Sequence, residues 1–201
     1  MPPTPDPLAL RRGQAINRRN AVVAALCGCG PAALLAYLAP PTPAMWLAGL
    51  AAGFLWANFF EYALHRWLLH WAGSYPGEGH MLHHRSLGKP EEPLYVNLGG
   101  RAIFVVAMFV VNGVPVVLLD RLVFSQAGFF LHAGFAPGML VAFSLYFIVT
   151  EQIHWRFHMG GWLPASLRTA RTRHLAHHQH PDQDFSIFLP LFDRLLRTAS
   201  R

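Results

Sequence analysis

Three stretches of the chain carry no charged side chain at all: Asn20 through Phe60, Ala102 through Leu119, and Leu122 through Thr150. An ionised side chain at the centre of a crossing helix costs about 2.5–3.5 kcal/mol on insertion scales, and such a helix needs roughly 20 predominantly apolar residues. Runs of this length and purity are membrane spans rather than buried core helices. Composition agrees, with 53% of residues hydrophobic and 13% charged, against about 25% charged in soluble globular domains. The net charge of +6 sits on arginines that flank the apolar runs, not on a patch interleaved with aromatics. It therefore points to anionic lipid headgroups and away from nucleic acid.

Turn residues and charge divide these runs into four spans, at about 20–39, 44–60, 102–119 and 137–150. Pro40-Pro41-Thr42-Pro43 is a tight uncharged turn, so the first two spans form an antiparallel hairpin. Gly113 and Pro115 bend the third span, and Asp120-Arg121 mark the turn that follows it. Residues 122–135, glycine-punctuated and carrying His132, read as interfacial or re-entrant. Residues 1–19, proline-rich and then basic, read as a disordered tail, and 20–201 as one membrane domain. Short helices are expected at 80–87, 171–179 and 193–201. Lys and Arg number four in the tail, none at 39–43, four in 61–101, one at 120–121 and seven after 151. Such an excess marks cytoplasmic segments. The fold expected is therefore all-α and integral to the membrane, with both termini cytoplasmic. Four transmembrane helices carry a cytosolic helical cap built from 61–101 and 151–201. A bacterial inner membrane and an endoplasmic reticulum fit that orientation equally.

Ten of the twelve histidines fall into two similar sets of five, all within the cap. The first set is His65 and His70 (H-x4-H) followed by His80, His83 and His84 (H-x-x-H-H). The second is His154 and His158 (H-x3-H) followed by His174, His177 and His178 (H-x-x-H-H). Positions i, i+3 and i+4 share a helix face, so each H-x-x-H-H presents three imidazoles to one small volume, and His154/His158 present two. His65 and His70, about 140° apart on an ideal helix, serve different metals or sit where a helix end distorts. Neutral imidazole suits iron, zinc, copper or nickel. So many rings at such spacing form a metal signature, and a two-metal one. Structural zinc is normally four-coordinate and rich in cysteine, whereas Cys27 and Cys29 lie inside the first apolar run. A transporter places its ligands near the bilayer midplane. The H-E-x-x-H of metalloproteases is absent, and Glu151-x-x-His154 matches the E-x-x-H spacing of soluble di-iron bundles only once.

Glu61-Tyr62-Ala63-Leu64-His65-Arg66 through His70, then His80-x-x-His83-His84, His154-x3-His158 and His174-x-x-His177-His178 resemble the histidine boxes of the fatty acid hydroxylase / sterol desaturase superfamily. Phe192-Asp193-Arg194-Leu195-Leu196-Arg197-Thr198 is similar to a segment found near the end of its members, so the likeness runs from about residue 45 to 198. The resemblance implies a histidine-ligated di-iron centre in the cap, with zinc in some purified or crystallised forms. It carries over as ligands His65, His70, His80, His83, His84, His154, His158, His174, His177 and His178, and leaves open how they divide between two metals. It also implies O2 as co-substrate and a membrane lipid as substrate. Hydroxylating an unactivated C–H bond needs activated oxygen, which side chains cannot supply and iron can.

Within that resemblance, His154-x3-His158 is similar to the third box of fatty acyl hydroxylases rather than the H-x4-H of carotenoid ring hydroxylases, which implies a fatty acyl substrate. The alternatives are a carotenoid or sterol hydroxylase or desaturase of the same superfamily, or a catalytically silent membrane metal-binding scaffold. There is no G-x-G-x-x-G loop, and His180-Pro181-Asp182-Gln183 is not the H-P-G-G loop of a fused cytochrome b5 domain. Electrons are therefore expected from a separate donor of cytochrome b5, ferredoxin or reductase type. Glu61, four before His65, and Glu151, three before His154, can orient imidazoles through Nδ1–H, as carboxylates beside metal ligands do. Asp182 and Asp184 are further candidates for that role, weighed against plain surface solvation. His180 stands equally as an extra ligand or a loop histidine.

Overall fold

The computed structural model describes residues 4–71, 73–98, 101–124 and 134–200, and among them it contains helices and turns but no strand. In order these are α1 (Pro7–Leu38), α2 (Pro43–Ala63), α3 (Tyr75–Ser86), α4 (Ala102–Leu119), α5 (Phe135–Met159), α6 (Arg168–His177) and α7 (Leu191–Leu195). Single π-helical turns follow α2 (Leu64–Leu69) and α4 (Asp120–Phe124), and short 3₁₀ turns lie at Glu92–Leu94 and Ala165–Leu167. Among the described residues four stretches, Pro7–Leu38, Pro43–Leu69, Ala102–Leu122 and Phe135–Met159, are long and apolar enough to cross a bilayer. Their number is the one expected, consistent with an integral membrane protein.

Two expectations are corrected. The tail is not disordered up to residue 19, because α1 begins at Pro7. Proline at a first helical position gives up an N–H that has no helical partner anyway, and Asp6 Oδ1 accepts from the Leu8 amide at 3.1 Å. One face of this early helix is buried through Ala9, Asn17 and Asn20. Nor do Asp120 and Arg121 end the third span. The helix winds on as a π-turn, with Asp120 buried and its carboxylate 3.7 Å from Arg121 Nε. The stretch 122–135, with His132, falls mainly outside the described residues.

The chain forms two compact units. One comprises residues 20–57 and 101–148 and contains the apolar lengths of α1, α2, α4 and α5. Here α5 is the common neighbour. A Cβ on Gly49 of α2 would overlap the Phe135 carbonyl, and one on Gly53 would lie 2.6 Å from the Met139 carbonyl oxygen. This G-x-x-x-G edge lets two backbones approach to contact, as small residues do between membrane helices. A Cβ on Gly28 of α1 would lie 2.5 Å from Ser144 Cβ, and Ser144 Oγ donates to the Ala24 carbonyl at 2.9 Å. From α4, Phe109 meets Phe143 edge-on, with ring centroids 5.2 Å apart. Trp56 Nε1–H donates to Asn112 Oδ1 at 2.8 Å, a polar tie between α2 and α4.

The other unit comprises residues 1–19, 58–100 and 149–201. A buried amide network fastens the start of α1 to its neighbours. Asn17 Nδ2 donates to Asn97 Oδ1 at 2.9 Å, Asn97 Nδ2 to the Gly13 carbonyl at 2.9 Å, and Gln152 Nε2 to Asn17 Oδ1 at 2.5 Å. Every clustered histidine belongs to this unit.

Candidate metal centre

Local structure aims each ring. Beyond Ala63 the chain winds as a π-helical turn, Leu64–Leu69. Its hydrogen bonds run from i to i+5, so a residue and the fifth after it come one above the other. His65 and His70 have that spacing, and their ring centroids lie 5.0 Å apart. The distorted helix end is the one of the two readings that the chain adopts. Ser74 caps α3 by accepting from the Gly77 amide at 2.9 Å, and the later turns of α3 carry His80, His83 and His84. The end of α5 carries His154 and His158. α6 carries His174 and His177, with His178 as its C-cap.

The rings sort into two groups in which the ligating nitrogens lie within 4.8 Å of one another. One group is His65, His70, His80, His84 and His177; the other is His83, His158, His174 and His178. His154 adjoins the second, its Nε2 3.0 Å from His174 Nε2. Rather than serving one volume, each H-x-x-H-H is split. His80 and His84 enter the first group and His83 the second, while His174 and His178 enter the second and His177 the first. On a helix i and i+4 lie about 40° apart but i+3 and i+4 about 100°, enough to aim adjacent rings at different neighbours. The groups adjoin where His84 and His178 stack, with centroids 4.4 Å apart.

Within each group nitrogen faces nitrogen. His80 Nε2 lies 2.9 Å from Nε2 of His65 and of His84 and 3.2 Å from that of His70, which is 3.2 Å from His177 Nε2. His174 Nε2 is central to the second group, 2.9 Å from His158 Nε2 and 3.4 Å from His178 Nε2. Several Nδ1 atoms are committed outward. His65 donates to the Phe185 carbonyl, His177 to the Gln183 carbonyl at 2.6 Å, and His158 to a Glu92 carboxylate oxygen at 2.7 Å. A carbonyl only accepts, so these Nδ1 atoms carry the proton and the Nε2 of each neutral ring presents a lone pair. Burial first, and neighbouring imidazoles second, holds His80, His83 and His174 well below the usual histidine range. The same causes lower His70 to about 4 and His178 to about 3. Neutral rings are the metal-binding form.

His83 tests the fit. It is 2% exposed, and neither of its nitrogens has a hydrogen-bond partner. Such a buried polar group costs about 1–3 kcal/mol unless something satisfies it. A cation on the ring does so, and an all-imidazole donor set suits iron or zinc.

Three of the four carboxylates singled out in the sequence brace backbone. Glu61 Oε1 accepts from the Ile187 amide at 2.7 Å, and Glu151 Oε1 from the Leu98 amide at 3.0 Å. Asp184 is buried, with Oδ1 accepting from the Ser200 amide at 3.1 Å, so surface solvation does not describe it. Asp182 and His180 are exposed, and His180 lies outside both groups. A carboxylate that does hold an imidazole is Glu92, on His158, and sequence reasoning missed it. Lys89-Pro90-Glu91-Glu92-Pro93 has the composition of a solvated loop, and no spacing ties Glu92 to His158, 66 residues later.

A helical chain with membrane-length spans and grouped neutral imidazoles defines a class of membrane proteins able to hold metal through histidine. The sequence profile of the fatty acid hydroxylase family matches residues 50–198, and the chain belongs to that family. The match takes in both histidine groups. Neither curated proteins nor solved structures give a significant match to the chain.

Proposed function

We propose that this chain is a membrane di-iron monooxygenase that hydroxylates an aliphatic C–H bond of a lipid, a fatty acyl chain, with O2 and electrons from a separate donor. What carries this reading is the pair of adjoining all-imidazole groups in a member of the fatty acid hydroxylase family. Iron held there supplies the oxygen activation that side chains lack. In the balanced reaction one oxygen atom becomes the hydroxyl and the other leaves as water, with two electrons and two protons drawn from the donor side. His65, His70, His80, His84 and His177 hold one ion, and His83, His154, His158, His174 and His178 the other. Glu92 and the carbonyls of Gln183 and Phe185 keep His158, His177 and His65 in the tautomer whose Nε2 is free. The near-complete burial of His83, His174 and His177 keeps water off these rings. A donor of cytochrome b5, ferredoxin or reductase type docks from the cytoplasm, the side to which the Lys/Arg distribution assigns the histidines.

Untargeted lipid mass spectrometry on a host expressing the chain, beside a His177→Ala control, tests this. Lipids heavier by one oxygen in the active strain alone are expected, and they identify the substrate. Lipids lighter by two hydrogens would make the chain a desaturase. No lipid change from iron-loaded protein supplied with reductant would sink the oxygenase reading.

A further inference from the structure

Among the described residues, Asp184 (φ 55°) and Arg197 (φ 58°) are the non-glycine residues with left-handed backbone. Such conformations persist where the surroundings over-determine them, and they gather at functional sites. Both lie in one clasp at the end of the chain. Asp184 sits at the elbow between the two carbonyls, Gln183 and Phe185, that take Nδ1–H from His177 and His65. The Asp184 amide donates to the Thr198 carbonyl at 2.8 Å, and its carboxylate accepts from the Ser200 amide at 3.1 Å. At the centre is Asp193, 0% exposed. Its Oδ1 accepts from the Phe185 amide and the Thr198 hydroxyl, and its Oδ2 from the Ser186 amide, each at 2.8 Å. The left-handed turn at Arg197 brings the chain back, so that the Thr198 and Ala199 amides donate to the Asp193 carbonyl at 2.8 and 3.2 Å. Among the described residues the second group has no such clasp: Glu92 holds His158 directly and His154 bonds to the Val96 backbone.

We propose that the Asp184–Ser200 clasp positions the first histidine group alone, with Asp193 as its positioning residue and a bound metal ion as its beneficiary. Resting on the metal-centre reading above, this assigns the buried carboxylate to holding the Phe185 and Gln183 carbonyls where His65 and His177 need them. Partners that orient metal-bound imidazoles are worth about 10- to 100-fold in affinity, and a partner acting through the backbone belongs at the lower end.

The test is a Zn2+ titration of the metal-free full-length protein in detergent against a chromophoric chelator, reading two binding steps. Asp193→Asn is expected to weaken one step about 10-fold and leave the other unchanged. Thr198→Val, which removes one of the three hydrogen bonds to the carboxylate and keeps the side-chain shape, should weaken the same step less. In a His65→Ala/His177→Ala background, where the rings held by the clasp are gone, adding Asp193→Asn should change nothing further. Unchanged steps in Asp193→Asn, or equal weakening of both, would overturn the clasp. If Asp193→Asn does not fold, Thr198→Val decides by the same criteria. A wild-type protein that binds fewer than two ions would instead overturn the metal-centre reading itself, whatever the variants do.

Discussion

Replacing Glu92 by Gln exchanges one oxygen for nitrogen in a carboxylate that is 6% exposed and faces two donors. Nδ1–H of His158 lies 2.7 Å from Oε1 and the Gly88 amide 2.8 Å from Oε2. Glutamine offers one acceptor and one donor, so whichever way its amide turns, an N–H faces an N–H. Leaving a buried donor unmet costs about 1–3 kcal/mol. With the amide oxygen on Gly88, His158 loses the acceptor that fixes its tautomer. With it on His158, the turn that presents Glu92 is weakened. Either way the cost falls on the second group, and it matches the 10- to 100-fold in metal affinity, about 1.4–2.8 kcal/mol, that such partners are worth. Metal content measured across a chelator series in detergent should show Glu92→Gln giving up one ion at about 10- to 100-fold lower chelator strength than wild type, and the other ion unchanged. A folded Glu92→Gln protein that retains both ions like wild type would refute the assignment of Glu92 to His158.

Gly53→Leu pushes α2 off α5, where overpacking costs about 1–3 kcal/mol; a melting temperature in detergent equal to wild type would contradict the close approach at Met139. Asn17→Leu strands the amides of Asn97 and Gln152 and should lower the same temperature by several degrees, with a change no larger than at an exposed control site counting against the network. His70 and His178 titrate near 4 and 3 in the fold against the usual 6.5. Between those values the unfolded chain binds more protons, so the metal-free protein should lose stability steadily as pH falls below about 6.5. Melting that is flat from pH 7 to pH 5 would show the rings to be less buried than described. Chelation of the metal should lower the melting temperature and Zn2+ should restore it; a melt indifferent to both would mean that no ion is held.

The spans were legible because hydrocarbon excludes charge, a rule that acts on sequence directly. The third span begins at Ala102 as the charge pattern predicts, although its helix winds on past Leu119 as a π-turn. The ten histidines were legible because their spacing repeats. How they divide was not, since helical periodicity gives a direction around an axis but not what stands in that direction, and His83 and His84 part company on that account. The H-x4-H pair needed a π-turn, which no local residue preference announces. The start of α1 was readable in Asp6-Pro7 but was outweighed by the proline-rich composition around it. Gly49 and Gly53 carry the spacing of a helix-crossing edge, but that spacing alone does not say which helix crosses there. Glu92 lay beyond reach, because its partner is set by tertiary packing alone.

The exchange of rings between the two H-x-x-H-H helices gives the groups different histories on the ribosome. Chains are made and begin to fold from the N-terminus. Four of the five members of the first group, His65, His70, His80 and His84, are already synthesised when α3 is complete, and only His177 is awaited. At that moment the second group consists of His83 alone. A first ion captured by the nascent chain would fix the rotation of α3, and with it the direction in which His83 waits for α5 and α6. Maturation would then follow an order, first group before second, set by the sequence positions of the histidines.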